Sequence, residues 1–235
     1  MTLAPVLLLA LAAGLSIPLG AGIASVERLE KWCRKMEMDS FVSYFGGGAL
    51  LAAIALVLLP RGLEQTSLGL AVGSFLAGSL VFWQISAQLE RRRSSASNLM
   101  GMLLDFVPEA MILGAAASQG SATAMLLALF IALQNMPEGF AALNEMRQAR
   151  VAKTRIRATF ALAPLAGPLA AWFGYSCMDM GSVWLGGIML FCSGGILYLI
   201  FQDIAPRAHL QHRHFPALGA VTGFLLGMTG TLLLH

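Results

Sequence analysis

Two short runs in this 235-residue chain carry the residues able to do chemistry. One is DFVPEA, Asp105 to Ala110, and the other is QNMPEG, Gln134 to Gly139. Each sets a proline beside a glutamate, with an oxygen-bearing side chain four residues before that glutamate. Residues i and i+4 share a helix face, so Asp105 points with Glu109, and Gln134 with Glu138. Two neighbouring helices of this kind aim four oxygen-bearing side chains at one spot, and Asn135 adds a fifth from a slightly different angle. The prolines matter as well. Pro108 cannot donate to the carbonyl of Leu104, and Pro137 cannot donate to that of Leu133. Each helix therefore bends and frees a carbonyl one residue before Asp105 or Gln134.

Both runs lie inside stretches apolar enough to cross a bilayer. A charged carboxylate at mid-membrane costs about 2.5–3.5 kcal/mol on insertion scales. No Lys or Arg lies in either stretch to pair with these acids. The acids are therefore protonated, line water or bind a cation. Two carboxylates close together resist double ionisation unless a positive ion sits between them, and a divalent ion resolves that conflict. The structural alternative is that Glu109 and Glu138 are protonated and hydrogen-bonded as helix glue.

The elements that position these residues follow from composition. The chain is 57% hydrophobic and 11% charged, where a soluble domain carries about a quarter charged residues. Eight stretches meet the requirement of about 20 mostly apolar residues: roughly 3–25, 41–60, 67–88, 98–118, 121–144, 156–177, 183–205 and 216–234. The N-terminal run lacks a basic leader and a clear cleavage site, so it reads as the first membrane helix. Fourteen of the fifteen Lys and Arg fall in the loops after spans 1, 3, 5 and 7; only Arg61 lies on the other side. By the positive-inside rule, both termini lie outside an inner (plasma) membrane. Cys33, Cys177 and Cys192 form no CxxC pair and suggest no disulfide framework.

The chain also repeats itself. FGGGALLAAIALVLLPRGLEQ (45–65) aligns without gaps with FCSGGILYLIFQDIAPRAHLQ (191–211), at an offset of 146. LSIPLGA (15–21) resembles LAGPLAA (165–171), and SFLAG (74–78) resembles GFLLG (223–227). Spans 1–3 thus echo spans 6–8. Five helices separate each pair, so each repeat is inserted upside down relative to its mate, as in many transporters. The expected fold is an all-α integral membrane protein, one domain over 1–235. Its eight transmembrane helices form a 3+2+3 arrangement of inverted repeats.

With these residues in view, the chain resembles the ZIP (Zrt/Irt-like) family of divalent-metal transporters, as a divergent bacterial-type member. The resemblance covers nearly the whole chain, and QNMPEG in span 5 is its most specific match. It implies a metal site between spans 4 and 5, with Asp105, Glu109, Gln134, Asn135 and Glu138 as ligands. It also implies alternating-access transport into the cytoplasm by a homodimer. The cargo would be a divalent metal ion (Zn, Fe or Mn), with no tightly bound cofactor. The chain departs from the family at several points. The family often has histidine where Asp105, Gln134 and Val57 stand, a polar ligand where Phe106 stands, and glutamate where Gly167 stands. These losses favour one metal over two. Carboxylate and amide oxygens lean toward iron or manganese, although zinc also accepts carboxylates.

Asp203, His209, His212 and His214, after span 7, form a candidate exit path for the metal. The alternative there is an interfacial acid beside a solvated polar loop. Enzyme chemistry finds little support, since neither HExxH nor GxSxG occurs. The expected partners are the metal ion, membrane lipid and a second copy of the chain, with no nucleic acid. A non-transporting membrane scaffold or metal sensor that keeps the fold is the rival reading.

Overall fold

The computed structural model describes residues 1–25, 38–91, 97–117, 121–177, 182–207 and 217–232. The side chains of Asp105 and Asp203 lie outside the description, as do His209, His212 and His214 altogether. Among the described residues every element is a helix. They form eight continuous stretches: α1 (Leu3–Ala24), α2 (38–65), α3 (Leu68–Arg91), α4 (Ser97–Ala116), α5 (Ser121–Gln148), α6 (153–177), α7 (183–207) and α8 (Ala217–Leu232).

Five of them are long and apolar enough to cross a membrane: Leu3–Ala24, Ser40–Gln65, Leu68–Gln88, Lys153–Ser176 and Val183–Gln202. Phe106–Ala116 in α4 and Ala217–Leu232 are apolar but shorter. α5 carries Gln134, Asn135, Glu138, Glu145 and Arg147, which dilute its apolar character. The outside of the bundle is greasy: Leu8, Leu76, Trp83, Leu169, Phe201 and Val221 are all largely exposed. A water-soluble domain does not leave so many large apolar side chains bare, whereas lipid accepts them. The hydroxyls follow the same logic. Ser25, Thr66, Ser79, Ser193, Thr222, Thr229 and Thr231 each donate to the carbonyl four residues back, which hides their polarity inside their own helix.

Glycines set the helix packing. An added β-carbon at Gly20 would collide with the Met136 carbonyl, and one at Gly139 with that of Ile17, so α1 and α5 meet backbone to backbone. α4 and α6 meet the same way, through Gly114 on Ala171 and Gly174 on Met111. α3 and α7 cross through Gly78 on Phe191 and Gly194 on Phe75, and α2 and α8 through Gly48 on Ala220 and Gly223 on Phe45. Small residues permit this close approach, and dispersion between the touching backbones then holds the pair where lipid supplies no hydrophobic drive. Contact order along the helices gives their directions. Gly14 meets Pro164 while the Tyr175 hydroxyl donates to the Met1 carbonyl, so α1 and α6 run antiparallel. α2 and α7 also run antiparallel, with Gly62 near Gly186 and the Tyr44 hydroxyl donating to the Ala205 carbonyl.

Two of these helices carry a π turn: Ile54–Leu58 in α2 and Ile200–Ile204 in α7. They stand 146 residues apart, the offset of the aligned segments, and Gly48 and Gly194 obey the same offset. The Leu59 amide donates to the Ile54 carbonyl, and the Ala205 amide to that of Ile200. Each turn lies just before a proline, Pro60 or Pro206. A proline removes a donor, and a one-residue shift of hydrogen-bond register beside it lets the helix continue. This is why α2 runs on to Gln65 rather than ending near Pro60. The other two sequence alignments shift by one turn in space. Gly20 and Gly174 hold equivalent crossings, four residues beyond the Pro18/Pro168 alignment, and Gly78 pairs with Gly223 rather than Gly227. A slip of one turn keeps every residue on nearly the same face.

Candidate metal site between two proline-bearing helices

α4 and α5 pass their prolines without breaking, Pro108 inside α4 and Pro137 inside α5. Neighbouring glycines fit closely around Pro137 of α5. Gly46 of α2 lies against Pro137, and Gly20 of α1 against the Met136 carbonyl. This places Gln134, Asn135 and Glu138 at the centre of the bundle, facing α4.

The structure joins Glu109 of α4 to Gln134 of α5, and Asn135 and Glu138 follow Gln134 within the next turn of α5. Glu109 is 6% exposed, Gln134 1% and Asn135 0%. Glu138 is half-buried. The Gln134 side-chain amide donates to Glu109 Oε2, which ties α5 to α4. Glu138 stands one turn after Gln134 on α5, so both carboxylates approach the same junction of α4 and α5. Asn135 Oδ1 and Nδ2 and Glu138 Oε2 are buried, with no hydrogen-bond partner among the described residues. Buried polar atoms without partners cost about 1–3 kcal/mol each, so three together call for a ligand. The backbone of Asp105 lies in α4 one turn before Glu109. Among the described residues no three His, Cys, Asp or Glu side chains gather at one point, so the visible set is two carboxylates and two amides.

A cavity adjoins this cluster. Its polar lining is Glu109 and Gln134, and its apolar wall includes Val57, Leu58, Ile112 and Phe130. All of these apolar residues lie on one side of the cluster, toward the end where α4 finishes and α5 begins. On the opposite side, α2 closes onto α5 through Gly46 and Pro137. Val57 and Leu58 belong to the α2 π turn, so the bulge forms part of the cavity wall.

Two departures from the family pattern prove to be neighbours. The Phe106 ring is fully buried and lies over Gly167 and Gly14. A side chain at Gly167 would displace the ring, so the aromatic residue and the glycine fill one space together. Sequence reasoning treated them as separate losses. It gave no role to Arg61 or Gln65, whose Nη1 and Oε1 are buried without partners among the described residues near the C-terminal end of α2.

The chain matches no protein-family model and no curated protein sequence.

Proposed function

We propose that this chain is a membrane transporter of divalent metal cations, of the ZIP kind, which binds its cargo between α4 and α5. Cargo of the zinc, iron or manganese class moves into the cytoplasm by alternating access. Eight spanning helices in a 3+2+3 inverted repeat carry the site, with both termini outside, and the working form is a homodimer.

The observation that carries this reading is the set of unpartnered buried atoms on Asn135 and Glu138 beside the Glu109–Gln134 pair. A divalent ion satisfies the oxygens of that set and offsets the repulsion between the two carboxylates. The donor atoms are hard, which suits manganese or ferrous iron. Further support comes from paired packing: α1 on α5 parallels α6 on α4, and α2 on α8 parallels α7 on α3, through reciprocal glycines. The two π turns at the 146 offset add to it. The cavity beside Glu109 and Gln134 lies toward the end where α4 finishes and α5 begins, the end that the positive-inside rule puts outside.

The scaffold reading has one observation in its favour, the Gln134–Glu109 bond, which joins two helices without any metal. It leaves Asn135 and Glu138 unexplained. The test is uptake into sealed proteoliposomes with Mn²⁺, Fe²⁺ and Zn²⁺, comparing wild type with Glu109→Gln and Glu138→Gln. Saturable uptake by wild type, lost in both variants, is expected; no uptake of any of the three ions refutes the transporter reading.

A further inference from the structure

We propose that the corner between α5 and α6 is a docking surface for anionic lipids, whose headgroup phosphates its cations hold. The proposal rests on the chain lying in a membrane and is independent of what the chain carries.

Residues 147–157 hold five of the fifteen Lys and Arg and no acid. The positive-inside rule explains the basic residues but not the missing acids, because Asp and Glu count for little in it. The stretch 26–39 shows the difference. Four basic residues stand there with four acids, Glu27, Glu30, Glu37 and Asp39, and the formal charges cancel. The α5–α6 corner keeps its charge. Arg147 is engaged within the fold, where its guanidinium donates to the Ala24 carbonyl and the Ser25 hydroxyl. Arg150, Lys153, Arg155 and Arg157 are exposed and make no hydrogen bond or ion pair among the described residues.

Three of these four are placed against the local field. Lys153, Arg155 and Arg157 lie in the first two turns of α6, where the helix dipole favours negative charge, and the first turn holds no acid. An anion from outside the chain relieves both the dipole and the repulsion among the cations. The corner is also held in one shape. The Val151 amide donates to the Met146 carbonyl and the Arg150 amide to that of Arg147, each at 3.0 Å, with Arg150 in the left-handed region at φ 55°. Val151 and Ile156 pack against the core. Beyond Arg157 the chain runs uncharged from Ala158 to Cys177. The cations therefore stand at the edge of the apolar layer, and their long stems carry the charge to the level of the lipid phosphates. A basic cluster of this size beside a spanning helix attracts anionic lipid.

Electron paramagnetic resonance of spin-labelled lipids around the full chain in proteoliposomes tests this. The readout is the preference of the restricted lipid shell for phosphatidylglycerol over phosphatidylcholine. Wild type should favour phosphatidylglycerol at least about twofold, and Arg150→Gln/Lys153→Gln/Arg157→Gln should lose most of that preference. Arg91→Gln/Arg92→Gln/Arg93→Gln removes the same charge elsewhere in the chain and should keep it. Equal loss in the two triple variants, no loss in the corner variant, or a wild type without preference overturns the proposal. Inorganic phosphate added at constant ionic strength should leave the preference intact; if it abolishes it, the corner takes a soluble anion and the lipid assignment falls. Should the corner variant fail to elute as wild type does, the three single substitutions, all at exposed positions, give the same reading in smaller steps.

Discussion

Gln134 on α5 donates its side-chain amide hydrogen to the Glu109 carboxylate on α4. The amide nitrogen is thereby committed to the neighbouring helix, and only the amide oxygen remains to face a cation. Gln134 is thus both a holder of Glu109 and a weak donor in its own right. Glu138, one turn along α5, has a buried oxygen with no such support.

The two glutamates should therefore fail differently. Glu109→Gln can keep a hydrogen bond to Gln134, since an amide oxygen accepts as a carboxylate does. Its thermal stability should stay near wild type while Mn²⁺ uptake falls at least about tenfold. Glu138→Gln should lose uptake to the same degree and gain stability in metal-free buffer, because a neutral amide replaces a carboxylate that lacks a partner. Uptake assays and melting curves in detergent check both. Undiminished uptake in either variant contradicts the assignment of that glutamate.

Asn135 offers a sharper separation of ligand from glue. Its carboxamide is fully buried and both polar atoms lack partners among the described residues. Asn135→Ala should leave the metal-free protein as stable as before, or more stable, and weaken Mn²⁺ binding about tenfold. A loss of stability without a loss of binding would make Asn135 a structural residue.

The Phe106–Gly167 contact predicts a coupled pair. Gly167→Ala should destabilise by about 1–3 kcal/mol, because the added carbon meets both the Phe106 ring and the Ala10 carbonyl. In the Phe106→Leu background only the ring's share of that cost should fall, while the Ala10 contact keeps the rest. A double-mutant cycle in melting free energy reads the coupling, and simple additivity would show that the ring yields freely.

The glycine crossings predict where bulk is forbidden. Gly78→Val and Gly223→Val each force a side chain into a facing carbonyl and should abolish monodisperse expression or lower the melting temperature sharply. Gly69→Val and Gly73→Val in α3 meet nothing and should be tolerated. Size-exclusion profiles of the four variants decide it.

Orientation is open to a direct test. In a background with the native cysteines replaced, a cysteine at Glu64 should react with an impermeant thiol reagent added outside intact cells. One at Gln148 should react only after the membrane is opened. Both positions are exposed. The reverse pattern would invert the topology read from the basic loops.

Much of this was open to reading in the linear chain. Long apolar stretches require helices, since lipid offers backbone groups no other partner, and every element among the described residues is a helix. The PE motifs marked the polar centre, because a proline and an acid in such surroundings stand out whatever packs on them. The 146-residue offset was legible where Phe, Gly, Pro and Arg recur without gaps. Less distinctive helices were not: in α1 and α3 a slip of one turn preserves both face and composition, so only backbone contacts at Gly20 and Gly78 reveal the register. Tertiary structure alone decided that Gln134 bonds to Glu109, that Phe106 fills the space above Gly167, and that α2 bulges at Ile54–Leu58 to wall the cavity. These depend on which faces meet across helices far apart in sequence. Periodicity tells which side of a helix is apolar; it does not tell which partner that side will find.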